Sequence, residues 1–160
     1  MPRALPWFAL AAALVIVDRL SKLAVLDAFV PGERHALTGF LNLVLVFNRG
    51  AAFSFLAGAS GWQTLLFGGI ALIAALVVGW LILRAPGRRL LCTGLALILG
   101  GALGNLVDRL LYGHVVDFVD LHAFGWHWPA FNVADGGITV GAGLVLIEGF
   151  LRQSGRAQGA

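Results

Sequence analysis

The stretch Leu65-Leu-Phe-Gly-Gly-Ile-Ala-Leu-Ile-Ala-Ala-Leu-Val-Val-Gly-Trp-Leu-Ile-Leu83 carries no charge. It matches the roughly 20 apolar residues that a helix needs to cross the hydrocarbon of a bilayer. Three further apolar stretches reach comparable length, at about residues 6–26, 90–110 and 134–151. The first is interrupted by Asp18, Arg19 and Lys22, and the third is uncharged until Asp108 and Arg109. Asn132 and Thr139 are both candidates for the start of the last. Together they predict a membrane all-α fold. It has four transmembrane helices, outer loops at about 27–64 and 112–132, and one domain over residues 1–160.

Composition points the same way. The chain is 59% hydrophobic and 12% charged, about half the charged fraction of roughly 25% typical of soluble domains. Its net charge of +3 does not imply nucleic acid as a partner. The arginines stand at the ends of apolar runs, as topology signals do, and not on one solvated face. Cys92, the single cysteine, lies within an apolar run. It excludes an internal disulfide and a cysteine metal cluster, and reads as a small buried apolar residue.

The positive charges orient the spans. Arg84-Ala-Pro-Gly-Arg-Arg89 joins spans two and three, Arg3 precedes span one, and Arg152 and Arg156 follow span four. With four spans all of these fall on one side, which the positive-inside rule makes cytoplasmic, along with both termini. A rival reading of residues 1–26 is a secretory signal peptide, since a short basic start precedes an apolar, Ala-rich run. The run continues past any cleavage site near Ala13, and the charge balance works only if the segment is kept.

The first outer loop has structure of its own. Leu41, Leu43, Leu45 and Phe47 alternate with Asn42, Val44 and Val46; Asn48-Arg49-Gly50 supplies a turn; Phe53 and Phe55 continue in phase. This predicts a two-stranded hairpin, apolar on both faces and suited to lie on the membrane or against the spans. Trp62, Trp126 and Trp128 read as interfacial anchors. The absence of an internal repeat argues against an inverted-repeat transporter. Gly100-x-x-x-Gly104 and Gly137-x-x-x-Gly141 predict close approach of spans three and four.

Charges within such a chain need a reason, because an ionised group at the edge of hydrocarbon is costly. Asp18 and Lys22 are spaced i,i+4 and can pair on one helix face. Asp108 and Arg109 follow Asn105. Asp117 and Asp135 have no lysine or arginine within four residues. They lie 18 positions apart, just past span three and at the start of span four, at one membrane edge. No serine stands in a Gly-x-Ser-x-Gly elbow. His114, His122 and His127 with Asp117 and Asp120 could form a metal site, although no His-Glu-x-x-His helix is present. Two meeting carboxylates offer another chemistry. Like charges about 3 Å apart cannot both ionise, so the pair shares a proton and works as acid and base on a peptide bond without metal or cofactor.

Five segments carry a family resemblance: Asp18-Arg-Leu-Ser-Lys22, Asn48-Arg-Gly-Ala-Ala-Phe-Ser-Phe55, Gly104-Asn-Leu-Val-Asp-Arg109, Gly113-His-Val-Val-Asp-Phe118, and Phe131-Asn-Val-Ala-Asp135 followed by Ile138. In this order the chain resembles the bacterial lipoprotein signal peptidase (signal peptidase II) family, intramembrane aspartyl proteases. The resemblance implies that Asp117 and Asp135 are the catalytic dyad. It implies that Asn48, Asn105, Arg109 and Asn132 line the site and orient substrate, and that Asp18 and Lys22 form a structural charge pair. It implies no cofactor and no metal. The hairpin becomes an extracytoplasmic cradle in the bacterial inner membrane. The implied substrate is a prolipoprotein whose cysteine carries diacylglycerol, cut just before that cysteine while the lipid stays in the bilayer. Cyclic peptide antibiotics that block the family are expected to lodge at the dyad. Gly136-Gly137 departs from relatives that often carry serine after the second aspartate. The alternative is a non-enzymatic four-span protein, a small transporter or assembly factor, with buried charge pairs.

Overall fold

The computed structural model of the chain describes residues 3–50 and 62–157. Helix α1 spans Leu5–Ala28, α2 Trp62–Arg84, α3 Arg89–Tyr112 and α4 Val133–Ala157. Strands β1 (Arg34–Ala36) and β2 (Leu41–Asn48) lie between α1 and α2, and β3 (Val115–Ala123) and β4 (Trp126–His127) between α3 and α4. Segments of α2, α3 and α4, at Leu65–Arg84, Arg89–Tyr112 and Val133–Ser154, are long and apolar enough to cross a membrane. With 24 residues, α1 has the length, about 36 Å at 1.5 Å per residue, but it carries the charges at 18, 19 and 22.

Helix α3 is the hub, packing against each of the other three. Its membrane-length window is 56% buried, against 17% for those of α2 and α4. The outer helices turn Ile16 and Leu20, Ile73 and Leu76, and Val140 and Leu146 outward. An apolar sheath of that extent is stable against hydrocarbon and not against water.

Small residues let the helices meet, though not in the pattern the glycine spacing suggests. Gly94 and Gly101 of α3 face α4: a Cβ at Gly94 would stand 2.7 Å from the Gly141 carbonyl oxygen, and one at Gly101 would overlap that of Ala134. Gly141 returns the contact against Gly94 and Ile98. Gly100, by contrast, faces Ala11 and Leu14 of α1, Gly137 also meets Leu14, and Gly104 makes room for the carboxylate of Asp18. The two Gly-x-x-x-Gly motifs therefore seat α1 as much as they join α3 to α4.

One end of the bundle is closed by arginines and an indole. Trp7 Nε1 donates to the Pro86 carbonyl at 3.0 Å, tying the start of α1 to the α2–α3 turn. Arg88 meets Glu148 of α4 at 2.9 Å, and Arg152 meets the same carboxylate at 3.6 Å.

The sheet lies at the opposite end, where α3 stops at Gly113, left-handed with φ +74°, whose N–H returns to the Arg109 carbonyl. It is antiparallel in the order β1-β2-β3-β4. The expected hairpin is thus revised. Its second arm, Ala51 to Phe55, lies outside the described residues, and the neighbours of β2 are β1 and β3. The latter comes from the stretch read from sequence as a loop. Val25, Leu45, Val116 and Phe118 bury the sheet against the end of α1.

The glycine contacts generate a stability test. Gly101→Leu must displace α4 backbone and should cost about 1–3 kcal/mol of overpacking. Thermal unfolding in detergent should show a lowered midpoint. Gly143→Ala, whose added methyl meets nothing within 4 Å, should leave the midpoint unchanged or raised.

Candidate active site

Near the sheet end of α3, Asn105, Asp108 and Arg109 stand at i, i+3 and i+4, so they share a face. Strand β3 starts three residues beyond α3 and brings Asp117 back over that face. Helix α4 begins beside it through a reciprocal cap: Asn132 Oδ1 accepts from the Asp135 N–H at 2.9 Å, and Asp135 Oδ2 accepts from the Asn132 N–H at 3.3 Å. This is the geometry of a capping box with Asn and Asp in place of Ser and Glu. It leaves Asp135 Oδ1 for another partner.

That partner is Asn105, whose Nδ2 donates to Asp135 Oδ1 at 2.7 Å. Asn132 Nδ2 donates to Asp117 Oδ1 at 2.7 Å and to Asn105 Oδ1 at 3.1 Å. Asn48 Nδ2 donates to Asp117 Oδ2 at 3.0 Å. A continuous hydrogen-bonded chain therefore runs Asp117–Asn132–Asn105–Asp135, with Asn48 at its outer end. Arg109 lies alongside, held by the carbonyls of Asn105 and Gly50 at 3.2 and 3.3 Å and stacked over Phe67. Asp117 is 2% exposed and Asp135 half-buried. Burial first, and then the charge of Asp135, push the Asp117 pKa up to about 7, against the opposing pull of Asn48, Asn132 and Lys22.

Beneath this chain lies a charge cluster larger than the pair expected from sequence. The Lys22 ammonium is fully buried and donates to Asp18 Oδ2 at 2.7 Å, Asp108 Oδ2 at 2.9 Å and Asn105 Oδ1 at 3.0 Å. All three of its N–H groups are satisfied. Arg19 adds a second cation to Asp108 at 3.3 Å and also bonds the Tyr112 hydroxyl. The two carboxylates then reach forward. Asp18 Oδ1 accepts from the Ala134 N–H at 2.8 Å, and Asp108 Oδ2 from the Val116 N–H at 3.1 Å. Each holds the backbone residue next to one of the two aspartates.

The three histidines do not converge on Asp117. His114 packs its ring on Phe47 and Tyr112, and burial together with Arg49 holds its pKa below the ordinary imidazole value. His127 gives Nδ1 to Asp120 at 2.9 Å and stacks on His122. Asp120 is the buried joint of the sheet. It is met by Arg34 of β1 at 3.6 Å, Asn42 of β2 at 2.7 Å and His127 of β4, so side chains of all four strands gather there. Burial acts upward on its pKa, but these donors outweigh it and hold it below the ordinary carboxylate value. Sequence reasoning gave Asp120 a supporting place as a loop partner but missed its partners and the forward reach of Asp18 and Asp108. The Asn132-x-x-Asp135 spacing was a readable cap signal; the partners of Asp120 are spread over 94 positions and carried none.

Residues 10–151 match the family described as signal peptidase (SPase) II. The chain belongs to the signal peptidase II family. A lipoprotein signal peptidase of Ralstonia nicotianae is 57% identical over 143 residues, covering 89% of this chain and 83% of the relative. One of Paraburkholderia phytofirmans is 53% identical over 150 residues, covering 94% and 87%. Among solved structures, a bacterial membrane enzyme determined by the in meso method at 2.3 Å superposes with a TM-score of 0.82 at 31% identity, covering 93% of this chain and 89% of the other. A second, at 1.9 Å, gives 0.77 at 31% identity and covers 89% and 90%. Nothing in these comparisons supports the non-enzymatic alternative.

In this signal peptidase II chain the cluster under the site is open to test. Lys22→Met leaves Asp18 and Asp108 facing each other without the ammonium between them. Breaking a buried pair in this way costs about 3–5 kcal/mol. The variant should accumulate poorly in membranes and lose thermal stability, whereas Arg152→Ala, at an exposed i,i+4 pair, should change neither.

Proposed function

We propose that the chain is an intramembrane aspartic endopeptidase that removes the signal peptide from prolipoproteins, with Asp117 and Asp135 as its catalytic pair. The observation that carries this reading is the hydrogen-bonded chain Asp117–Asn132–Asn105–Asp135. It links two carboxylates from different elements through side-chain amides that carry no charge. A pair built only for stability would be matched with cations, as Asp18 and Asp108 are.

The division of labour follows from surroundings. Asp117, buried and raised to about 7, is the protonated member of the pair. Asp135 lies in the first turn of α4, where the helix N-terminus favours negative charge, and serves as the base. It removes a proton from water; the hydroxide oxygen bonds the scissile carbonyl carbon, and Asp117 protonates the carbonyl oxygen. As the tetrahedral intermediate collapses, the C–N bond breaks, the proton on Asp135 passes to the leaving amine, and one hydroxyl of the diol returns its proton to Asp117 as the carboxyl product forms. Asn48, Asn105 and Asn132 orient the carboxylates, and Arg109 anchors the adjoining Gly50 carbonyl at the mouth of the site.

The membrane placement belongs to the same proposal. Helix α1 is the fourth span, its charges turned inward onto α3. Arg3, Arg84, Arg88, Arg89, Arg152 and Arg156 mark the cytoplasmic side of a bacterial inner membrane, with both termini there, and the sheet stands outside. Residues 1–160 act as a single protease domain. The substrate is a prolipoprotein whose cysteine bears diacylglycerol, and cleavage falls before that cysteine. Its lipid remains in hydrocarbon while the peptide reaches the dyad at the edge. A cyclic peptide antibiotic of the kind that blocks the family competes for the same place. The chemistry requires no metal, so full activity in excess chelator is expected.

Two measurements check the proposal. Asp117→Asn and Asp135→Asn should each lower cleavage of a diacylglyceryl-modified precursor by at least roughly 10²–10⁴-fold at unchanged abundance; normal cleavage by either variant would end the dyad assignment. The pH profile should follow Asp117. Below about 7 it holds its proton and above it the proton is lost, so kcat should fall above that value, approaching roughly tenfold per pH unit. A flat kcat from pH 6 to 9 would count against Asp117 as the proton carrier.

A further inference from the structure

A cleft of about 280 Å³ begins at Asp117 and runs over the sheet to the Arg34–Asp120–His127 joint. Val44 and Val46 line it from β2, and Trp128, Pro129 and Ala130 from the segment beyond β4. We propose that this cleft receives the first residues of the mature lipoprotein, downstream of the scissile bond, as an extended strand, and that Arg34 makes it prefer an acidic side chain there. The proposal rests on the reading of Asp117 as one of the catalytic pair.

Three observations carry it. The first is direction. From Asp117, β3 leads away from α3 and α4 toward Asp120, so a chain leaving the dyad along this cleft moves off the helices and onto the sheet. The signal peptide is apolar and belongs with the helices; the mature chain is the half that must be delivered to water. The second is chemistry. The far end of the cleft is polar, which suits a peptide and not an acyl chain. The third is charge. Asp120 is 3% exposed, accepts hydrogen bonds from Asn42 and His127 and has the Arg34 guanidinium 3.6 Å away, so its negative charge is offset where it lies. Arg34 has a side chain 54% exposed and meets Asp120 through Nε. Its two Nη groups extend the fork, whose planar geometry matches a carboxylate. Asp117 and Asp120 are three residues apart on β3, about 10 Å at 3.3 Å per residue. An extended substrate therefore brings its second and third residues, counting the cysteine as first, to Arg34.

The test uses the full-length enzyme in detergent–lipid micelles and synthetic diacylglyceryl-cysteine precursors that differ only in Asp, Asn or Lys at the third mature position. The ratio of kcat/KM for the Asp and Lys substrates is independent of how much enzyme is folded. It should be at least about fivefold in favour of Asp for the native chain, retained in Arg34→Lys, and inverted in Arg34→Glu. As a second variant, Ala130→Trp fills the cleft. It should raise KM at least about tenfold for the full precursor while sparing a truncated substrate that ends at the cysteine amide. Equal ratios in the native and Arg34→Glu enzymes, or an Ala130→Trp effect that is the same on truncated and full substrates, would overturn the cleft proposal. Either result leaves the dyad reading standing so long as Asp117→Asn is inactive; an active Asp117→Asn enzyme that keeps the Arg34-dependent ratio would instead remove the dyad reading.

Discussion

The Lys22 ammonium, wholly buried, donates to Asp18, Asp108 and Asn105, and each of those three fastens a part of the site. Asp18 holds the Ala134 N–H at the start of α4, Asp108 holds the Val116 N–H at the start of β3, and Asn105 bonds both Asp135 and Asn132. The two aspartates come from segments with no regular ladder between them. Their positions are set through one cation on a third element, α1. Arg19 balances the second carboxylate, so the cluster holds two cations and two anions. A group of this kind is costly to bury unless its charges are paired and hydrogen-bonded, and here each carboxylate oxygen and each proton of the ammonium has a partner. Helix α1 thus supplies the cation and the carboxylate that tie α3, β3 and α4 together. Gly104 on α3 supplies the space that the Asp18 carboxylate occupies.

This explains how much could be read in advance. The long apolar helices were legible because hydrophobic length is a property of contiguous sequence: α2 and α3 lie within three residues of the stretches read at 65–83 and 90–110, while α4 runs six residues past 151. Asp117 and Asp135 stood out as carboxylates with no cation near them in sequence, whereas Asn48, Asn105 and Asn132 came from the family resemblance, since side chains drawn from β2, α3 and the turn into α4 share no period. Strand β3 was hidden. Val115-Val-Asp-Phe-Val-Asp-Leu-His-Ala123 has the β-branched and aromatic content of a strand, but two carboxylates and a histidine gave it the chemistry of a loop. The glycine motifs predicted close packing correctly and its partner only in part, because Gly100 and Gly104 lie on the face of α3 that α1 covers.

The sheet repeats the same device on a smaller scale. Strands of three and two residues, β1 and β4, make few ladder bonds, and β2 carries an irregularity between Leu43 and Val46. Asp120 compensates by drawing a side chain from each of the other strands to one buried carboxylate. The turn from β3 to β4 passes through Phe124 at φ +52° and Gly125 at φ +80°, the paired left-handed conformations of a two-residue hairpin turn. Beyond β4, Phe131 exchanges backbone bonds with Val119 at 2.8 and 3.0 Å. Register is thereby passed along the chain to Asn132, so the joint at Asp120 and the cap at Asn132 are joined through one hydrogen-bonded segment.

Gly136-Gly137 is where the sequence leads one to expect a loosened start to α4, since two glycines in a first turn weaken a helix by roughly 0.5–1 kcal/mol each relative to alanine. The two positions differ. Gly137 has Leu14 of α1 in the space a side chain would fill, whereas Gly136 meets nothing within 4 Å. Glycine at 137 is thus a packing requirement, while serine at 136 would fit. The propensity lost there is offset by bonds that do not depend on it. The reciprocal Asn132–Asp135 cap, the Asp18 bond to the Ala134 N–H and the Thr139 hydroxyl on the Asp135 carbonyl at 2.9 Å all act within the same turn. The orientation of Asp135 is therefore fixed by Asn105 of α3 and by its own cap, with Asp18 of α1 holding the adjoining Ala134 N–H. A neighbouring hydroxyl is unnecessary because both oxygens of Asp135 already have amide donors.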